Sequence, residues 1–214
     1  MNEYIRSALA ERYNLKSRDM GEFRKIKKNI YRIECECYEI EGVGNLFFID
    51  MKAMMGMMKM ESMVLTPLWK DVSFCNFDLV EAAGNTTLIF EMYRTALHED
   101  DLGSFAGLKE KYRNIENAQT DSGWYDAMKL SCCLAKKGKS LGVEKDRVIA
   151  DYLDKYMQLL EQAADCDPEA KKAAVRCYTD RLVTEGGVAV DTMKQMLGPE
   201  KTAKLIRSYM YGID

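Results

Sequence analysis

"ESMVLTPLWKDVSFCNFDLVEAAGNTTLIFEMYRT", residues 61–95, decides the fold. Its first apolar run stops at Pro67, which cannot donate to a sheet ladder and so ends or edges a strand. "SFCNFDLV" reads as a second strand. Alternation puts Phe74, Asn76 and Asp78 on one face and Cys75, Phe77 and Leu79 on the other. "AAGN" is a turn, and a long strand follows from Thr86 to about Tyr93.

The same period continues upstream. Extended, residues 57–66 place Met58, Met60, Ser62 and Val64 on one face and Met57, Lys59, Glu61, Met63 and Leu65 on the other. "IYRIECECYEI" (30–40) alternates Tyr31, Ile33, Cys35 and Cys37 with Arg32, Glu34 and Glu36, which sets both thiols on one face. "EGVGN" then turns the chain into "LFFIDMKA" (46–53). Five strands joined by short turns between residues 30 and 95 predict an antiparallel meander.

Helical patterns flank the meander. Tyr4, Ile5, Leu9 and Tyr13 predict an amphipathic helix over 2–18, with a basic connector, "FRKIKKN", after it. Residues 97–128 are charged, glycine-punctuated and partly helical. Val148, Tyr152, Tyr156 and Leu159 line one side of a strong helix over 143–166. Asp167 and Pro168 supply an N-cap and first helical residue for a helix that "GG" closes, and Gly198-Pro199 opens the last one. The expectation is one α+β domain over 1–214 in which helices cover an antiparallel sheet.

The totals narrow the function. The 214 residues carry 31 Lys+Arg against 34 Asp+Glu, so no strong field draws nucleic acid. No apolar stretch approaches the roughly 20 residues of a membrane span, and the N-terminus reads as a helix, so the expected place is the cytoplasm. Seven cysteines, without CxxC pairs and with one histidine, His98, suit reduced thiols better than zinc or disulfides. The hydrolase, nucleotide-binding and metalloprotease motifs are absent.

Seven of the 15 methionines lie between Met51 and Met63. Thioethers are soft ligands, but these fall on both strand faces with no His or Cys among them, which argues against a metal there. They read either as core filler or, at Met58 and Met60, as a pliable wall for a flat ligand. Asp78 also reads two ways: desolvated by its apolar neighbours it is a proton donor near neutral pH, and on the more polar face it is solvated. Glu91 shares a face with Ile89 and Tyr93 and either pairs with a cation or projects into a site. His98 sits in an acidic loop, where a histidine is ordinarily solvated.

Residues 60–95 and 165–212 together resemble the ferredoxin-dependent bilin reductases and the related red chlorophyll catabolite reductases. In that family a strand ends at a proline, a short strand delivers an aspartate before "LV", and a closing helix ends in glycine and an aromatic. The resemblance implies an α/β/α sandwich holding an open-chain tetrapyrrole between the sheet and the C-terminal helices. It implies no tightly bound metal or flavin, single electrons from ferredoxin, and protons from a pocket aspartate, which falls on Asp78. A position carrying His or Asn in the family falls at Ser62 or Glu61, so the outcome of any reduction is open, and a non-catalytic tetrapyrrole binder is the alternative. Lys59, Arg94 and Arg207 are candidates to meet propionates. A third reading is a scaffold that docks a partner on its charged helices.

Overall fold

The computed structural model describes residues 1–120, 122–139 and 141–214, with only the backbone of Val188. Its centre is one antiparallel sheet. Strands β3 (Tyr31–Ile40), β4 (Gly44–Ala53), β5 (Met58–Pro67), β6 (Cys75–Ala82) and β7 (Asn85–Met92) form the expected meander in chain order. Two short strands, β1 (Leu15–Ser17) and β2 (Lys25–Lys28), share the outer edge of β3, and β8 (Leu134–Gly138) closes the other edge on β7.

Helices lie on both faces. On one, α1 (Asn2–Ala10), α2 (Ala106–Lys111) and α3 (Gly142–Gln162) bury Leu46, Phe48, Met63, Phe77 and Phe90 against Ile5, Leu9, Leu108, Tyr152 and Tyr156. On the other, α4 (Pro168–Glu185), α5 (Val188–Leu197) and α6 (Pro199–Lys204) bury Cys35, Cys37, Phe47, Ile49 and Val64 against Val175, Leu182, Met193 and Leu205. The unbroken apolar run of β4 follows from this, because a strand between two helical layers has no polar face. The α/β/α sandwich is the expected architecture.

Five features differ from expectation. The first helix stops at Ala10, and the chain then pairs as β1; the "connector" at 23–29 contains β2, whose lysines face outward around a single buried Ile26. Strand β8 was not foreseen, because Lys136 occupies an inward position; it is 3% exposed, with Nζ donating to the Ile115 carbonyl and Asn117 Oδ1. Met57 lies outside β5: Met54–Gly56 make a single 3-10 turn, and Met54 and Met55 take left-handed φ of 52° and 57°. Helix α5 follows at once on the "GG" that ends α4. Gly186 (φ 78°) is required there, since a Cβ would sit 2.6 Å from Asp191 Oδ1.

The C-terminus is clasped to the sheet. α6 runs on as a π-helical turn, Leu205–Met210, in which the Tyr211 N–H donates to the Ile206 carbonyl at 3.0 Å. Buried Asn45 on β4 donates its amide to the Tyr209 and Met210 carbonyls (2.7 and 3.1 Å) and accepts from Arg18 (2.7 Å). Gly212 (φ 67°) lies flat on Asn45, where any Cβ would be 2.6 Å from the Asn45 Cβ. This clasp fixes Tyr211 under the sheet.

Candidate functional site

The C-terminal helical layer covers its sheet face unevenly. Over β3, β4 and the end of β5 it is closed, with Cys35, Cys37, Phe47, Ile49 and Val64 all under 5% exposed. Toward β5–β8 it leaves a gap. Met58, Met60, Ser62, Asn76, Asp78, Val80, Thr87, Ile89 and Glu91 are each half-buried, although their neighbours on the opposite face are sealed in core. This partly covered strip of the sheet is the candidate cleft.

Register brings the candidate groups together on its floor. Ser62 on β5 is opposite Asp78 on β6, and Asn76 is opposite Glu91 on β7. Ser62 Oγ donates to Asp78 Oδ1 at 2.5 Å, and Asn76 Nδ2 donates to Oδ2 at 2.8 Å. The Asp78 carboxyl keeps some solvent contact but lies deep among protein atoms. Burial pushes its pKa up, and the Glu91 charge adds to this; the Ser62 and Asn76 hydrogen bonds pull it part-way back, leaving it at about 6. Such a carboxyl both holds and releases a proton near neutral pH, and the Ser62 hydroxyl can turn to follow either state.

Beside it is a second group that pattern reasoning did not assemble. Glu91 pairs with Lys129 at 2.8 Å and accepts from the Tyr93 hydroxyl at 2.5 Å. Tyr178, from α4, packs its ring on Tyr93 and Tyr211 with centroids 4.9 and 5.8 Å apart, so three phenols from β7, α4 and the C-terminal tail gather beside Glu91. Burial raises the pKa of all three, so they stay neutral and act as donors. Phe74 packs on Tyr93, Tyr178 and Tyr211 with centroids 4.9–5.3 Å apart, and Trp124 packs on Tyr178 at 5.2 Å with the rings inclined by 52°. Phe74, Tyr93, Tyr178 and Tyr211 are themselves buried, so this cluster is packed core beside the half-buried strip. Only Tyr93, two residues from Glu91, carried a local signal; Tyr178 and Tyr211 arrive from far along the chain.

The methionine run divides three ways. Met51 and Met63 are core, Met58 and Met60 line the cleft floor, and Met54, Met55 and Met57 are exposed at the hairpin tip. Glu61 is placed away from the site: it faces α1, where its Oε2 accepts from the Asn2 N–H at 2.8 Å. Adjacent strand residues point to opposite faces, so of Ser62 and Glu61 only Ser62 shares the face of Asp78. Lys59 is exposed on the Glu61 side, Arg94 is exposed, and Arg207 is held by Asp180 at 2.8 Å. His98 is exposed, with Nδ1 2.6 Å from Asp71. Among the described residues no three His, Cys, Asp or Glu side chains converge on a metal position, and no helix is long and apolar enough to cross a membrane.

No protein-family model matches the sequence, and no curated protein matches it either. The fold is nevertheless shared with a known structure. The crystal structure of phytochromobilin synthase from tomato in complex with biliverdin aligns with a TM-score of 0.76 at 10% identity, over 99% of this chain and 83% of that one. Phytochromobilin synthase is a ferredoxin-dependent bilin reductase, and the fold of that distant structure is the fold of this chain.

Proposed function

We propose that the cleft binds an open-chain tetrapyrrole and that Asp78 protonates it while single electrons arrive from ferredoxin. One observation carries the reading: a desolvated, solvent-reached carboxyl at the centre of an otherwise covered sheet, in a fold shared with a biliverdin-bound enzyme. Met58, Met60, Val80 and Ile89 offer an apolar floor, and the half-buried Trp124 offers an aromatic edge, both of which suit a planar conjugated ligand.

Reduction of one double bond takes two electrons and two protons. Asp78 gives one proton to the ligand and regains it from water; the Glu91 carboxyl, hydrogen-bonded by the Tyr93 phenol, is the place through which the second would pass. On this reading, which the family resemblance motivates, the electrons come singly from ferredoxin without a tightly bound metal or flavin.

Anaerobic addition of reduced ferredoxin to a protein–biliverdin mixture tests the reading. Loss of the long-wavelength absorption in wild type, and its persistence in Asp78→Asn, is the expected result. A second reading rests on Ser62, which leaves Asp78 beside a hydroxyl where the family resemblance implies His or Asn. In that case the protein carries the pigment without reducing it, and the spectrum shifts on binding but does not bleach.

A further inference from the structure

The strand register sets four cations in one row at an end of the sheet. Lys27 on β2 is opposite Arg32 on β3, Arg32 is opposite Lys52 on β4, and Lys52 is opposite Lys59 on β5. Cross-strand partners share a face, so all four project on the Glu61 side, away from the cleft, and all four are exposed. Like charges directly opposite one another cost stability. The acids of the next row are engaged elsewhere: Glu34 with Lys25 at 3.4 Å, Asp50 with the Asn2 amide at 3.3 Å and Glu61 with the Asn2 N–H at 2.8 Å. Glu81, opposite Lys59 on β6, is taken by Lys145 at 3.3 Å. None of the four cations forms an ion pair with another described residue.

A second, independent observation points to the same end. Among the described residues eight large apolar side chains are exposed, and five of them are here. Ile30 is in the β2–β3 turn, Met54, Met55 and Met57 form the β4–β5 tip, and Val143 starts α3. The start of α3 belongs to this end because Gly142 and Lys145 line one depression with Gly56, Met57 and Lys59. Each hairpin tip runs one or two residues past the cation row, roughly 3–7 Å at the rise of a strand. Met55 is wholly exposed, so core packing does not account for it. Apolar side chains on protruding tips, with cations one layer behind them, match the depth profile of a bilayer surface, where anionic headgroups overlie hydrocarbon.

We propose that this end of the sheet binds an anionic membrane surface peripherally, with the Met54–Met57 tip and Ile30 entering the headgroup layer while Lys27, Arg32, Lys52 and Lys59 meet the lipid charges. Each cation near an anionic bilayer strengthens binding by about fivefold, and the tip adds to this as its apolar surface leaves water. The chain as a whole has a net charge of −3, so attraction is confined to this end and orients the molecule. Methionine suits such a tip, since its flexible thioether packs without a fixed partner.

The test is sedimentation of the full chain with vesicles of two parts phosphatidylcholine to one of phosphatidylserine, against vesicles of phosphatidylcholine alone. Wild type is expected to pellet with the anionic vesicles only, and less as salt is raised. Lys52→Gln with Lys59→Gln should weaken binding at least about tenfold, and it relieves a like-charge contact, so the fold is kept. Met55→Asn with Met57→Gln should weaken binding roughly tenfold. Asparagine tolerates the left-handed backbone at position 55 (φ 57°), so this variant keeps the fold too. Lys16→Gln, at the opposite end of the sheet, leaves pelleting unchanged. Far-UV circular dichroism verifies that each variant is folded. Failure of wild type to pellet with the anionic vesicles overturns the assignment, as does pelleting unaltered in either double variant. Loss with the lysine changes alone also overturns it and marks the row as a surface for an acidic protein.

Discussion

Ser62 and Asp78 face each other across the β5–β6 register, the hydroxyl donating to the carboxyl at 2.5 Å. Neither residue alone marks a site. Together, on a sheet face that the helices leave open, they make a carboxyl whose proton can be exchanged near pH 6.

That raised pKa has a consequence for stability. Between about pH 4, where an unfolded aspartate titrates, and pH 6, the folded protein holds a proton that the unfolded chain has lost. Stability from this group is therefore full below about pH 4 and falls as pH rises through 6. Asp78→Asn keeps both bonds, its oxygen toward Asn76 and its amide toward Ser62, and abolishes the slope. Urea unfolding should find the variant more stable above pH 6 by roughly 1–2 kcal/mol, a figure reduced for the group's partial exposure, and equal to wild type near pH 4.

Lys129 neutralises Glu91 next to Asp78. Both ends of the pair are mostly buried (17% and 13% exposed), so Lys129→Met strands a carboxylate and should cost roughly 2–3 kcal/mol in urea unfolding. The uncovered charge also works against ionisation of Asp78. Carbon-13 NMR of the Asp78 carboxyl should find its titration moved upward in this variant, and an unchanged midpoint would show that Glu91 does not act on it.

The Asn45 clasp holds the C-terminal tail that carries Tyr211. Asn45→Ala leaves the Tyr209 and Met210 carbonyls and the Arg18 guanidinium without their partner, at about 2–3 kcal/mol. Thermal unfolding should drop by about 4–10 °C. Gly212→Ala should do as much by pushing a Cβ into Asn45.

The meander was legible because its strands obey one rule, alternation about a covered face, from Tyr31 to Met92. Elements that break the rule were not. β8 turns Lys136 inward and satisfies it locally, β2 shows three lysines to solvent around one isoleucine, and α1 yields to strand pairing at Leu15 although Tyr13 keeps the helical spacing. Within each strand the period groups Met58, Met60 and Ser62, sets Asp78 with Asn76 and Glu91 with Ile89, and separates Glu61 from Ser62. That these groups lie on one side of the sheet follows only from the strand register. Lys129, Tyr178 and Tyr211 reach the same floor only through tertiary packing, which no local pattern encodes.

The absorption spectrum of biliverdin, recorded as the purified protein is added, tests the central claim most directly. A saturable red shift and sharpening at tens of micromolar or below, on the scale of ordinary pocket affinities, with a pH dependence near 6 that Asp78→Asn removes, is the predicted result. A spectrum unchanged at a molar excess of folded protein would contradict the claim that this cleft receives a tetrapyrrole.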